Sequence, residues 1–427
     1  MIKTSRTGMP LPTVGSPAVK PRGQKQQRSL QRRGRIADAA IEILALHGIS
    51  GLTHRLVARK ANVSLAATTY YFDTKFDIVA EASKLTLQGY IDAFHRAALR
   101  FKNQPDDPAL FRAFTAKLVH NAVSRDRVRA LCWAEITLDA HRHPESLKLS
   151  RQWFSSLADV WFEMAEASGF EQPQEVARSA VDLVIGLLLV ATSLGLSAEQ
   201  VDAVLIGGES PITAWKVDRT EHVSPKLPPR PSKKAMVTRN KIIDAAIDVL
   251  VVEGPSALTY RMVANRAGIT AAGPFYHFRT IDALLGAAQL HLFEESKQRY
   301  REVAFEIGEI LDAERLIDRT TTVLVREATE FSGHNLASYA IWLQASRQPD
   351  LRQMIWSAIS DQYQAWDRLL APLSVEARPI DALLAFCTFV GMHVRILSTG
   401  SKLEDLAQVR RDFARDFTAL TSSTYWF

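Results

Sequence analysis

Cysteine is nearly absent from this chain of 427 residues: Cys132 and Cys387 stand far apart, with no CxxC spacing. That excludes a disulfide framework and a cysteine-built zinc site, and it suits a reducing compartment. Long apolar runs are missing as well. The longest, LVIGLLLVATSLGL at 183–196, follows Asp182 and falls short of the roughly 20 residues a bilayer span needs. The first residues are basic but include no apolar stretch of signal-peptide length. A soluble cytoplasmic protein without a membrane partner is therefore expected. Catalytic signatures are lacking too: there is no HExxH, GxSxG or Gly-rich phosphate loop. The paired histidines of HRH at 141–143 sit at i and i+2, which do not share a helix face. No enzyme activity, cofactor or metal is expected.

Acidic residues are absent from the first 35 positions, which hold nine Lys or Arg. From Lys216 to Lys241 eight basic residues face only Asp218 and Glu221. Such segments hold polyanions electrostatically. The rest of the composition, 47% apolar and 23% charged, is that of a globular chain long enough for two to four domains.

What is present is a repeat. A shift of 206 residues aligns Ile36–Thr74 with Ile242–Thr280, with 18 identities in 39 positions. They include DAAI at 38 and 244, Gly48 with Gly254, Arg55 with Arg261, and Phe72 with Phe278. A weaker echo continues downstream: AHRHPE at 140 with ASRQPD at 345, Trp161 with Trp366, VDLVIGLL at 181 with IDALLAFC at 380. Two whole units of roughly 200 residues each are implied. Between them a Pro-rich, charged stretch at 207–236 reads as a linker, and residues 1–30 read as a flexible basic arm.

The apolar spacing is helical throughout, so the fold class is all-α. Ile36, Ala39, Ala40, Ile43 and Leu44, like Ile242, Ala245, Ala246, Val249 and Leu250, form one buried stripe. Gly48 and Gly254 sit where a left-handed helix C-cap belongs. Thr53 and Thr259 are N-cap candidates for a second helix ending at Asn62 or Gly268, and Ser64 and Thr270 are N-cap candidates for a third. Two short helices joined by a tight turn and braced by a first helix make a helix-turn-helix, whose second member can lie in a DNA major groove. The third helix has small residues first, then Thr68, Thr69, Tyr70 and Tyr71 in one copy, and Gly273, Tyr276 and His277 in the other. Small residues allow close approach, and hydroxyl and imidazole groups serve phosphates or base edges.

Both copies resemble the DNA-binding domain of the TetR/AcrR family of bacterial transcriptional regulators, with its pattern LT-x-R-x-x-A-x-x-A-G-V-S, a small residue pair and an aromatic run closing in Phe. The resemblance covers about fifty residues per copy. It implies readers at 31–82 and 237–288, each followed by a helical ligand-binding and dimerisation domain, at 83–206 and 289–427. It implies a double-stranded DNA operator and a small-molecule effector as partners. His54, Arg55, Tyr260 and Arg261 would touch the edge of the site or its bases. Ala66, Ala67, Thr69, Tyr70 and Tyr71, with Ser64 and Thr68, would serve the first groove. Ala272, Gly273, Phe275, Tyr276 and His277, with Thr270, would serve the second, and Lys75 would hold a phosphate. Effector-lining candidates are Phe111, Phe114, His120, Trp133 and His141 in one unit, and Tyr339, Trp342 and Met354 in the other.

Three departures bear on the second reader. The family often has a phosphate-contacting Tyr where Thr69 and Phe275 stand here, Ile281 replaces the helix-four Lys, and Pro274 removes a backbone donor. Its grip would then rest on Arg261, His277 and the Lys233, Lys234, Arg239 segment. Members of the family are homodimers that meet through a four-helix bundle. One chain here would supply both halves as a pseudo-dimer, binding the second half-site at high effective concentration. A homodimer of tandem chains with four readers is the alternative arrangement. A ligand sensor or scaffold with purely structural helix-turn-helix units is the alternative function.

Overall fold

The computed structural model describes residues 22–103, 106–215, 232–308, 312–400 and 402–427. Among them there is no strand, and nineteen α-helices are connected by short turns. The first unit comprises α1 (Arg22–Gly51), α2 (His54–Lys60), α3 (Leu65–Tyr71), α4 (Lys75–Lys102), α5 (Pro108–Val123), α6 (Arg127–Leu138), α7 (Pro144–Ala167), α8 (Pro173–Leu194), α9 (Ala198–Leu205) and the single turn α10 (Pro211–Ala214). The second repeats the order with α11 (Lys233–Glu253), α12 (Tyr260–Ala267), α13 (Ala272–His277), α14 (Ile281–Ile307), α15 (Ala313–Glu330), α16 (Ser332–Ala345), α17 (Arg352–Leu370), α18 (Asp381–Thr399) and α19 (Leu403–Thr421).

Several expected boundaries move. The basic arm is helical from Arg22, because Gln, Arg, Lys and Leu favour extending α1 backwards, while residues 1–21 lie outside the described residues. The expected linker is packed as far as Trp215, which is 1% exposed and donates its indole N–H to the Gln200 carbonyl at 2.9 Å. Residues 216–231 lie outside the described residues. The divisions at 82/83 and 288/289 fall inside α4 and α14, which run on without a break. Gly48 and Gly254 do take positive φ, 67° and 82°, but with ψ near 180°. That is the extended mirror region open essentially to glycine, not the left-handed helical cap expected.

The two units meet along α8 and α18, which form a four-helix bundle with α7 and α17. Gly186 lies against the Cys387 backbone and Gly391 against that of Asp182, so the helices cross antiparallel; a Cβ at either glycine would collide with the opposing carbonyl. Asp182, 1% exposed, receives both Nε (2.7 Å) and a terminal nitrogen (2.9 Å) of Arg395 across this crossing. Ser179 is bonded to the Tyr425 hydroxyl (3.0 Å) and the Trp426 indole (2.9 Å). In length and apolarity α8 and α18 both reach what a membrane span requires, which the apolar run at 183–196 by itself does not suggest. Both are largely buried in the protein core.

Candidate nucleic-acid interface

Each three-helix unit is assembled by the same local chemistry. Thr53 and Thr259 cap α2 and α12 by accepting the backbone N–H of Leu56 (3.2 Å) and Met262 (3.3 Å). The turn that follows needs positive φ, supplied by Asn62 (52°) and Gly268 (62°). Val57, Ala61 and Phe72 then pack on Ile36, Ala40 and Leu44 of α1. This seats α3 across the unit with one face outward.

Ser64 caps α3 through the Ala67 N–H at 3.1 Å. Thr270 does not cap α13. Its carbonyl accepts the Gly273 N–H at 2.9 Å, and Ala271 precedes the helix without a side-chain cap. The cause is Pro274, which has no N–H to give back to Thr270, so the helix starts late and is six residues long. Pro274 is buried at the position equivalent to Thr68, which is itself fully buried, its hydroxyl bonded to the Leu65 carbonyl at 2.8 Å. Thr68 therefore does not present its hydroxyl outward, contrary to expectation, because a seven-residue helix turns that position onto the core.

The outward faces carry the other expected residues. Ala66, Thr69 and Tyr70 are exposed on α3, Tyr70 to 80%; Ala272, Phe275 (48%) and Tyr276 (74%) are exposed on α13. Ser64 and Thr270 are exposed beside them, as are Arg55 and Arg261 on the preceding helices. Ala67, Gly273 and His277 are half-buried. Tyr71 turns partly inward, and its hydroxyl accepts from Ser29 at 3.2 Å. His54 is half-buried, its Nδ1 without a hydrogen-bond partner among the described residues. Tyr260 is tied down, donating its hydroxyl to the Phe278 carbonyl at 2.9 Å with its ring 5.7 Å from Phe275. Burial and the nearby Arg239 hold the His277 pKa below its ordinary value. Lys75 opens α4 behind a Thr74–Asp77 capping box, while Ile281 at the matching position packs on the core.

One repeated contact escaped the sequence reading. Arg33 stacks over Phe72 at 5.5 Å and Arg239 over Phe278 at 4.6 Å, also 206 residues apart. The spacing was visible, but both arginines lie just outside the aligned stretch. Arg33 also pairs with Glu81 through two bonds of 2.7 and 2.9 Å.

The remaining candidates divide unevenly. Tyr339 and Trp342 line a cavity of about 380 Å³ in the second unit, and Met354 lines an adjoining recess that shares Gln289, Phe293, Lys297 and Asp361 with it. Phe111 is fully buried, with ring contacts to Trp161, Phe170 and Trp426, and Phe114 packs on Phe94 and Trp161. Trp133 is buried against Trp153. His120 bonds the Asp202 carboxylate at 2.9 Å, and His141 reaches across to the Val251 carbonyl at 2.9 Å. These five side chains of the first unit are thus engaged in packing and bonding rather than grouped around that cavity.

Two family models match this chain twice each. That of bacterial regulatory proteins of the tetR family matches residues 36–82 and 242–288. That of the tetracyclin repressor-like C-terminal domain matches 106–207 and 311–420.

The chain belongs to the TetR family.

It is a DNA-binding transcriptional regulator built of two tandem units, and not an enzyme. The nicotine-responsive transcriptional repressor HdnoR of Paenarthrobacter nicotinovorans is 25% identical over 174 residues, 41% of this chain and 88% of the relative. The regulator PksA of Bacillus subtilis is 33% identical over 76 residues, 18% of this chain and 37% of that protein. Among solved structures, the multidrug binding protein EbrR in complex with imidazole is 25% identical, covering 46% of this chain and 98% of its own, with a TM-score of 0.36. A TetR-family member from Streptomyces coelicolor A3 is 26% identical, covering 41% and 96%, with a TM-score of 0.33.

Proposed function

We propose that this regulator is a ligand-responsive repressor, soluble and cytoplasmic, that binds an operator of two unequal half-sites as an intramolecular pseudo-dimer. The observation that carries the reading is the antiparallel crossing of α8 and α18, which covers within one chain the kind of face two subunits share in a two-fold dimer. The readers are residues 31–82 and 237–288, and the helical domains at 83–206 and 289–427 sense and join. Arg55, Ala66, Thr69, Tyr70 and Lys75 contact one half-site; Arg261, Ala272, Phe275, Tyr276 and His277 contact the other. The chemical difference between Thr69 and Phe275, and between Lys75 and Ile281, supports unequal half-sites.

Repression and ligand response are supported by the relative HdnoR, named for both. A connection from cavity to readers supports them further. Helix α16 carries Tyr339 and Trp342 on the cavity wall and packs on α11. It ends at Ala345, just before Arg347, which donates to the α1 carbonyls of Leu44 (3.2 Å) and Ala45 (2.7 Å). A ligand that prefers one position of α16 biases both readers, and only its differential affinity does the work.

The test is selection from random duplexes with the full-length protein, followed by the mass of the complex and its affinity at several salt concentrations. Unequal half-sites bound by one chain, with affinity falling steeply as salt rises, are expected. Symmetric sites bound by two chains would replace the pseudo-dimer with a four-reader homodimer. Enrichment of nothing would leave the helix-turn-helix units structural.

A further inference from the structure

The two units are not equally open. Where Phe111 and Trp161 of the first pack edge to face at 5.5 Å with Trp426 beside them, the second has Leu316 and Trp366 on the wall of the cavity. Trp426 follows α19 of the second unit, so that unit's own tail packs, half-buried, against the first unit's core. With the smaller leucine there, and no residue of the first unit's tail on the wall among the described residues, space of about 380 Å³ is left, the scale of small-molecule sites.

The wall chemistry is one-sided. Aromatic rings dominate the interior, among them Tyr339, Trp342, Trp366 and Phe389. Four lining residues are cationic, Lys297, Arg301, Arg319 and Arg368, against the single carboxylate of Asp361. That carboxylate is already taken by Lys297 at 2.9 Å. Arg301 and Arg368 are exposed at the mouth, while Arg319 is half-buried, with no carboxylate within 4 Å among the described residues. Burial without such a partner pulls the Arg319 pKa below the ordinary arginine value. A half-desolvated guanidinium beside aromatic walls is poorly compensated until an anion arrives. The Trp342 ring lines the same wall, adding to its aromatic surface.

We propose that the cavity of the second unit binds an amphipathic organic anion, an apolar or aromatic body bearing a carboxylate, with Arg319 as the charged anchor. The cationic mouth attracts the carboxylate, and the rings cover the body. The first unit, where Phe111 and Trp161 are buried with Trp426 against them, carries no second effector site of this kind. This inference rests on the ligand-responsive reading above.

The experiment is calorimetric titration of the full-length protein with naphthalene-2-carboxylate and 4-phenylbutanoate, each alongside its primary amide and the amine of the same skeleton. At least one carboxylate is expected to bind with one site per chain, about tenfold or more tighter than its amide, and its amine not at all. Arg319→Gln should lose about tenfold, and Arg319→Lys, which keeps the charge, should lose less, with circular dichroism unchanged in both. Equal or tighter binding of the amines, undiminished binding to Arg319→Gln, or no carboxylate binding at millimolar concentration would overturn the proposal. The ligand-responsive reading is judged separately: it fails if a ligand that binds the cavity, of whatever charge, leaves operator affinity unchanged.

Discussion

Arg347 of the second unit donates its Nε–H to the carbonyl of Ala45 in the first, at 2.7 Å. The exchange is reciprocal. Val251, which occupies the position equivalent to Ala45, accepts from His141 of the first unit at 2.9 Å. The carboxyl end of each unit's opening helix is thus held by a side chain from the other unit, where a donor complements unsatisfied carbonyls. Arg347 also pairs with Glu135, and both are mostly buried. Arg347→Ala strands that carboxylate and should cost about 3 kcal/mol of unfolding free energy in urea titrations. The Glu135→Ala, Arg347→Ala double variant should recover part of this, as a double-mutant cycle will read.

Acidification should loosen the same junction. Burial holds the pKa of His141 at about 4, and its Nδ1, the atom that would take the second proton, is buried without a hydrogen-bond partner among the described residues. His393, fully buried with Nδ1 3.0 Å from the Tyr339 hydroxyl, is likewise held at about 4. The unfolded chain, with histidine near 6.5, binds protons that the folded chain refuses. Stability is therefore full above about pH 6.5 and lost as pH falls toward 4, by about 2 kcal/mol per histidine at pH 5. Unfolding midpoints at pH 7.5 and 5 should differ accordingly, and less so in His393→Phe.

At the readers, charge should be countable. Removing a phosphate-contacting cation lowers the magnitude of the salt slope by about one unit with little change in sequence preference. Lys75→Ala is expected to do this, and Ile281→Lys to do the reverse at the second half-site. Loss of preference at particular base positions instead would place Lys75 among the base readers.

Tyr70→Ala and Tyr276→Ala remove two highly exposed rings, so neither should alter stability by more than about 0.5 kcal/mol. Each should weaken operator binding, and the two losses should map to different half-sites in footprinting. A shared footprint defect would argue against one reader per half-site.

At the bundle, Gly391→Ala sets a methyl group against the Asp182 carbonyl. The helices must separate, at a cost of about 1–3 kcal/mol or more. Urea unfolding should report the loss, and the larger Gly391→Val should lower the midpoint further.

The helix-turn-helix units were legible because their caps, turns and apolar stripe are local: Thr53, Asn62 and Ser64 act within a few residues of where they stand, as do Thr259 and Gly268. Thr270 was misread because its capping role depends on Pro274, four residues on. Thr68 was misread because seven residues are too few to fix which side of a helix faces inward. The cavity was only half legible. Tyr339 and Trp342 could be picked as aromatic candidates, but nothing local distinguishes them from Phe111 and Trp133. The difference arises from Trp426, hundreds of residues away in sequence and in ring contact with Phe111. The bonds to the Ala45 and Val251 carbonyls involve backbone atoms, which leave no trace in side-chain pattern.

The crossing of α8 and α18 has a consequence for mixing. A two-fold face completed by a separate molecule is open to subunit exchange with any chain that offers a matching patch. In the proposed pseudo-dimer Gly186 and Gly391 let that face close within one covalent chain, and exchange would require pulling a buried helix pair apart. The ratio of first reader to second stays at one to one at any dilution. The two can diverge in sequence, as Thr69 and Phe275 have, without producing mismatched combinations.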